Sequence, residues 1–237
     1  MYTLALETTD PIGSVAVFRE SECLNWRWLP GDRRSAQTLA PAIRELLRDC
    51  HVRPQEIGMV CVSVGPGSFT GIRIGVVTAK TFAYAVGADI IGIDTLEAVA
   101  AGVLPDVPRV AVLADAQRGD IVGKLFERQE GGIRLAAETS RPQTPLEWLS
   151  TLPASNDLVV AGPGALRFQE LLAAQGYRLA ADERCRPRAL ELGRLAWTYY
   201  VRGRRDDLWK LMPRYFRPSY AEEKATAASG DASEAPV

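Results

Sequence analysis

Residues 59–86, "MVCVSVGPGSFTGIRIGVVTAKTFAYAV", restrict the fold more than any other stretch of this chain. "MVCVSV" is a continuous apolar run, the pattern of a strand covered on both faces. A glycine-rich turn follows, with Gly65, Gly67, Gly71 and Gly75 falling within eleven residues. A helix then runs to about Val86. A strand, a glycine turn and a helix in succession imply a layered α/β protein.

Such a turn often holds a phosphate at a helix N-terminus. The positions here match neither common template. A Walker A loop needs Gly-Lys-Ser/Thr, but Gly71 is followed by Ile72 and Arg73. A dinucleotide fingerprint needs a third glycine where Thr70 stands. A different regularity appears instead. Gly67, Gly71, Gly75, Ala79, Ala83 and Gly87 recur every four residues and give the helix one narrow face of very small side chains. Ile72, Ile74, Val76, Val77 and Phe82 make the helix apolar nearly all round, so it is buried on more than one side. Three readings remain open on this pattern: tight internal packing, a docking face for a partner, and phosphate binding by the turn.

The flanking segments extend the α/β plan. "YTLALE" (2–7), "SVAVF" (14–18) and "CLNWRWL" (23–29) read as an antiparallel meander. Residues 35–50 read as a helix with Ser35 as N-cap and an apolar stripe through Leu39, Ile43, Leu46, Leu47 and Cys50. "DIIGI" (89–93) is a short buried strand and 95–104 a helix. The two prolines of "LPDVPR" (104–109) mark a boundary. Beyond it come a strand pair (110–116, 120–127), a short helix (144–152), a strand (158–164), a helix (165–176) and a long last helix (188–203). The expected units are 1–105, 106–220 and a tail, 221–237, without aromatics or periodicity, which reads as disordered.

Composition excludes several functions. With 237 residues and a formal net charge of −1, the chain carries no global field for nucleic acid or anionic membranes. Four cysteines without short pairing suggest reduced thiols in a cytoplasmic protein. No signal peptide or apolar run of ~18 residues is expected. The chain has one histidine, His51, which rules out two histidines on one metal within it. His51 reads as a solvated residue at a helix end.

"LALETTDPIGSVAV", "SVGPGSFTGIRIGVVTAKTFAYAVG" and "IDTLEAVA" together resemble the TsaB family, with looser similarity in 112–127 and 213–223. That family is the smaller subunit of the bacterial machinery for N6-threonylcarbamoyladenosine in tRNA. The resemblance implies the two-lobed actin/sugar-kinase/Hsp70-like (ASKHA) α/β fold, with mixed sheets, helices and a degenerate second lobe. It implies a non-catalytic subunit that binds the transferase TsaD directly through helices of the N-terminal lobes. The ATPase TsaE would join them, and a homodimer would form when the chain is alone. The stripe Gly67, Gly71, Ile72, Gly75, Ala79 and Ala83 is then the expected partner face.

TsaD holds a metal with two histidines spaced four apart. Thr95 and Val99 stand at those positions here, so no metal is expected. Glu7, Thr8, Thr9, Asp10 and Gly13 are expected remnants of a phosphate loop, and "AGPG" (161–164) of an adenosine turn. No cofactor is expected in this chain, ATP and metal belonging to the partners, and tRNA contact is expected to be indirect or weak. The alternatives are a small-molecule kinase of the same fold and a metallopeptidase. Seven arginines within 184–205 offer either phosphate contacts or a solvated helix face, and Asp115, Arg118 and Asp120 read as a strand-to-strand turn held by local ion pairs.

Overall fold

The computed structural model describes residues 1–30, 35–130, 132–139, 141–152 and 157–216. The tail from Ala221 and the side chain of Ser35 lie outside the described residues.

The chain begins with the expected meander, β1 (Tyr2–Glu7), β2 (Ser14–Arg19) and β3 (Glu22–Trp28). Helix α1 (Ser35–Asp49), strand β4 (Ile57–Ser63), helix α2 (Phe69–Val86), strand β5 (Asp89–Ile93) and helix α3 (Thr95–Val103) follow. They build a five-stranded sheet in the order β3-β2-β1-β4-β5. β1 pairs antiparallel with β2 and parallel with β4, so the sheet is mixed. β1 and β4 are covered on both faces, which is why they read as unbroken apolar runs.

α1 and α2 cover one face, burying Leu39, Ile43, Leu46, Ile72 and Val76 against Leu4, Val60 and Val62. Gly87 ends α2 in the left-handed region at φ 71°, where a Cβ is disfavoured.

The second sheet contains β6 (Arg109–Asp115), β7 (Ile121–Gln129), β8 (Gly132–Glu138), β9 (Leu158–Ala161) and β10 (Arg178–Leu179). Its order, β10-β9-β6-β7-β8, repeats that of the first: an antiparallel three-strand meander followed by two parallel strands. α3 and α7 (Asp182–Cys185) pack on one face, and α4 (Pro145–Ser150), α5 (Pro163–Arg167) and α6 (Gln169–Ala174) on the other. α4 starts with a complete capping box between Thr144 and Glu147. β8 and β10 are additions to the sequence reading. The helix expected over 165–176 is broken at Phe168, whose φ of −106° ends α5 before α6 begins.

The domain boundary needs a larger correction. The last helix, α8 (Ala189–Val201), lies within the expected second unit but packs on the first sheet. Ala189, Leu192, Leu195 and Ala196 cover Ala5, Ala16, Phe18, Met59 and Ile91 there. Residues 204–216 stay with this lobe. Asp206 bridges to Ile90 and accepts from Gly92 N at 2.8 Å, Lys80 Nζ donates to the carbonyls of Trp209 and Leu211, and Arg214 N donates to Val64 O. The second lobe therefore runs only from about Arg109 to Cys185.

Candidate functional site

The two sheets turn corresponding ends toward a cleft of about 1050 Å³. The first lobe contributes the β1–β2 loop (Thr9–Pro11), the β4–α2 turn (Pro66–Thr70) and the start of α3. The second contributes the β6–β7 turn (Ala114–Arg118) and the start of α5. Ligands of layered α/β folds bind at such carboxyl ends of strands.

The expected phosphate loop lies here, but its own chain has filled it. Gly71 and Gly75 sit so close to Thr8 that a Cβ on either would collide with the Thr8 carbonyl or hydroxyl. Thr8 Oγ1 donates to Gly71 O at 2.8 Å, and Ser68 N donates to Thr9 O at 2.7 Å. Gly67, with φ 154°, lies directly against Thr9, and Gly13 lies against Glu7 O and Leu29. The glycine stripe is thus an internal close approach, in which the α2 backbone rests on the β1–β2 loop.

This corrects the expected partner face. Gly71, Ile72, Gly75, Ala79 and Ala83 are buried inside this chain, and only Gly67 is exposed. A small-residue stripe serves intramolecular approach as readily as intermolecular approach, and here the sheet takes it. The outward side of α2 is different in kind. Val77 is 62% exposed and Tyr84 67%, and on the closing segment Trp209 is 72% exposed and Met212 65%. Tyr84 and Trp209 meet edge to face at 5.6 Å. Exposed large apolar groups gathered in this way mark an interaction surface.

The acidic residues of the loop are also engaged. Glu7 is fully buried, and Thr9 donates both its N–H and its hydroxyl to Glu7 Oε1. Burial is the dominant influence and raises its pKa above the ordinary 4.5; the hydrogen bonds from Thr9 oppose the rise. Asp10, almost wholly buried, is paired with Arg186 Nη1 at 2.7 Å. In this fold a magnesium-bound nucleotide needs ionised, accessible carboxylates at this loop. One carboxyl here is sealed in and the other is neutralised by an arginine, so the residues present do not fit that group. "AGPG" lies on the opposite wall, where Gly162, at φ 100°, and Gly164 pack directly on Leu113.

Thr95 and Val99 separate. Val99 is core, packed toward the second sheet, whereas Thr95 lines the cleft with its hydroxyl buried and without a hydrogen-bond partner. Among the described residues no group of three or more His, Cys, Asp or Glu is placed to hold a metal. His51 is exposed just past α1, at φ 54°, with its N–H donating to Arg48 O.

The arginine run is mostly paired within the chain. Arg184 holds Asp106, Arg186 Asp10, Arg188 Glu191, Arg204 Asp206 and Arg205 Asp89. Asp115 and Asp120 do lie on a tight turn, but the ionic partner of Asp115 is Arg167 of α5, a contact across the second lobe. The cleft's arginine lining was missed in the sequence because its members are scattered from Arg118 to Arg214. No short-range signal joins them.

Two lobes of equal strand order, joined by α3 and closed around a cleft, define a two-lobed α/β protein of the actin, sugar-kinase and Hsp70-type fold. An activator of 2-hydroxyisocaproyl-CoA dehydratase from Clostridium difficile shares that fold at a TM-score of 0.52 and 11% identity, over 85% of this chain and 97% of its own. Within this class the chain is similar to the TsaB family. It is 28% identical to the tRNA threonylcarbamoyladenosine biosynthesis protein TsaB of Bacillus subtilis, over 94% of this chain and 97% of the relative. It is also 28% identical to the Escherichia coli protein of the same name, over 94% and 98%. The solved structure of YeaZ from Pseudomonas aeruginosa superposes with a TM-score of 0.78 at 27% identity, covering 90% of this chain and all but 1% of that one. Residues 31–141 match the family model "TsaD: tRNA N6-adenosine threonylcarbamoyltransferase". No described helix is long and apolar enough to cross a membrane.

Proposed function

We propose that this chain is a non-catalytic, activating subunit in tRNA threonylcarbamoyladenosine formation. It docks directly on a TsaD-type transferase in a complex joined by a TsaE-type ATPase. The observation that carries this reading is the contrast between the two sides of α2. Its inner side fills the loop that a nucleotide-using relative would keep open, while its outer side displays Val77, Tyr84, Trp209 and Met212 to solvent. A protein whose phosphate loop is occupied by its own helix, and whose exposed apolar surface lies on that same helix, is suited to binding a partner rather than to phosphoryl transfer. The same chemistry argues against a kinase, and the residues at 95 and 99 against a metallopeptidase. ATP and metal are assigned to the partner subunits. tRNA contact by this chain is weak, since at least five of the seven arginines in 184–205 are engaged internally.

Reconstitution tests the reading. Threonylcarbamoylation of tRNA by the TsaD- and TsaE-type subunits is expected to require this chain. Val77→Glu, which places a charge on the outer face, is expected to abolish co-purification with the transferase while leaving the melting temperature unchanged. Activity that is independent of the chain overturns the function, and an intact complex with Val77→Glu overturns the surface. An interface of ~1,200–2,000 Å² in total is expected. In the absence of the partner, self-association through the same patch is expected and should vanish in the same variant.

A further inference from the structure

We propose that Lys80 assembles the docking surface: it fastens the closing segment, residues 206–215, along α2 as a strap, and a TsaD-type partner contacts helix and strap together. The inference rests on the docking reading and adds to it the part of the chain that completes the surface.

One line of residues on α2 is the first observation. Phe69, Arg73, Val77, Lys80 and Tyr84 are spaced by four, four, three and four positions, so they share one face of the helix. All but Val77 touch the closing segment. The rings of Tyr84 and Trp209 lie 5.6 Å apart. Lys80 Nζ donates to the carbonyls of Trp209 and Leu211, each at 3.1 Å. Arg73 Nε donates to Tyr215 Oη at 2.8 Å, and the Phe69 ring lies 4.6 Å from that of Tyr215. Residue numbers rise along the segment as they fall along the helix, so the strap runs antiparallel to α2, from its last turn to its first.

The second observation is what the segment's backbone needs. Residues 207–216 belong to no helix or strand. Their carbonyls have no ladder to join and must find other donors. An ammonium carries three. Lys80 has no ionic partner among the described residues, and it gives two donors to carbonyls on either side of Lys210. One charged group thus fixes the backbone of the strap at its middle.

The third observation is the division of side chains. Leu208 and Leu211 pack inward on the core of the first lobe, and Leu211 lies so close to Gly92 that a Cβ there would collide with it. Trp209 and Met212 are left facing solvent. Trp209 joins Tyr84, and Met212 follows one residue after the Lys80 contact. Large rings of this kind dominate binding when they are well placed. A strap that holds its ring before the partner arrives lowers the ordering cost of association.

Hydrogen exchange and partner binding of the full-length chain test this. Lys80→Met keeps the apolar stem and removes the donors. It is expected to speed amide exchange in 206–215 about tenfold, with β1 and β4 unchanged, and to weaken binding of the TsaD-type subunit about tenfold. Trp209→Ala is expected to weaken binding about as much while exchange in the strap stays slow. Val77→Glu is expected to lose the partner, also with slow exchange in the strap. Unchanged exchange in Lys80→Met, or faster exchange throughout the first lobe, overturns Lys80 as the fastener. Full binding in either Lys80→Met or Trp209→Ala overturns the strap's share in the surface, and the docking reading still stands if Val77→Glu has lost the partner. An intact complex with Val77→Glu overturns both.

Discussion

The two lobes share one strand order and even one turn, Gly-Pro-Gly, after β4 (Gly65–Gly67) and again after β9 (Gly162–Gly164). They differ in what the turn opens. In the first lobe it starts an 18-residue helix; in the second it starts helices of five and six residues separated by Phe168. The first lobe also draws in α8 and residues 204–216 from beyond the second. The strand frame of this fold is therefore repeated faithfully, and functional divergence lies in the helices laid upon it. The first lobe has become a helix-faced block with an apolar exterior. The second is a thin wall that supplies three of the cleft's four arginine positions from its turns and helix ends, or from the segment just after them.

Each lobe locks a helix to its sheet by seating a ring on a glycine. In the first lobe the ring is Phe18 of β2 on Gly193 of α8, and in the second it is Trp148 of α4 on Gly123 of β7. The largest effect is expected where the layer is thinnest. Trp148→Ala should cost about 3–5 kcal/mol by urea unfolding. A cost under about 1 kcal/mol would mean that the second lobe's outer layer contributes little, and the contrast in thickness would lose its meaning. Gly75→Leu should follow, destabilising by about 1–3 kcal/mol or more, because Thr8 and Val62 leave no room for the side chain. A stable Gly75→Leu protein that fails only to bind its partner would restore the stripe as an external face.

The smallest effect is expected from Glu7→Gln, and it depends on pH. The folded pKa of Glu7 is raised above 4.5, chiefly by burial. Below the unfolded value both states hold the proton and there is no penalty. As pH rises toward the folded value, the unfolded chain ionises first and stability is lost. Glutamine abolishes this loss, so the variant's advantage in urea midpoint should be near zero at pH 4 and should grow toward neutrality. An advantage that does not change with pH would show that Glu7 is not the group responsible.

Much of the frame was readable because local pattern and burial agree. β1 to β5 and α1 to α3 lie where alternation, apolar runs and caps place them. β8 was missed although Ile133, Leu135 and Ala137 alternate with polar or small neighbours. That signal is weak because an edge strand with both faces largely exposed has no strong apolar face. The stripe on α2 was seen correctly as small and misassigned in direction. Spacing defines a helix face but not what it meets. The missing clue was that Ile72 and Val76 flank the glycines, so the stripe belongs to the inward, larger-residue side. The destination of α8 and the pairing of Arg186 with Asp10, 176 positions away, were not locally encoded at all. Such contacts are settled by the closed fold.

The return of α8 to the first sheet has a consequence for synthesis. When the ribosome has made residues 1–103, one face of the first sheet, with Ala5, Phe18, Met59 and Ile91, still lacks its covering helix. That helix emerges only after the whole second lobe has been translated. At roughly 5–20 residues per second, the first sheet waits on the order of ten seconds with an apolar face open. The lobe that is begun first is finished last, and in that interval the nascent chain is a natural client for a chaperone.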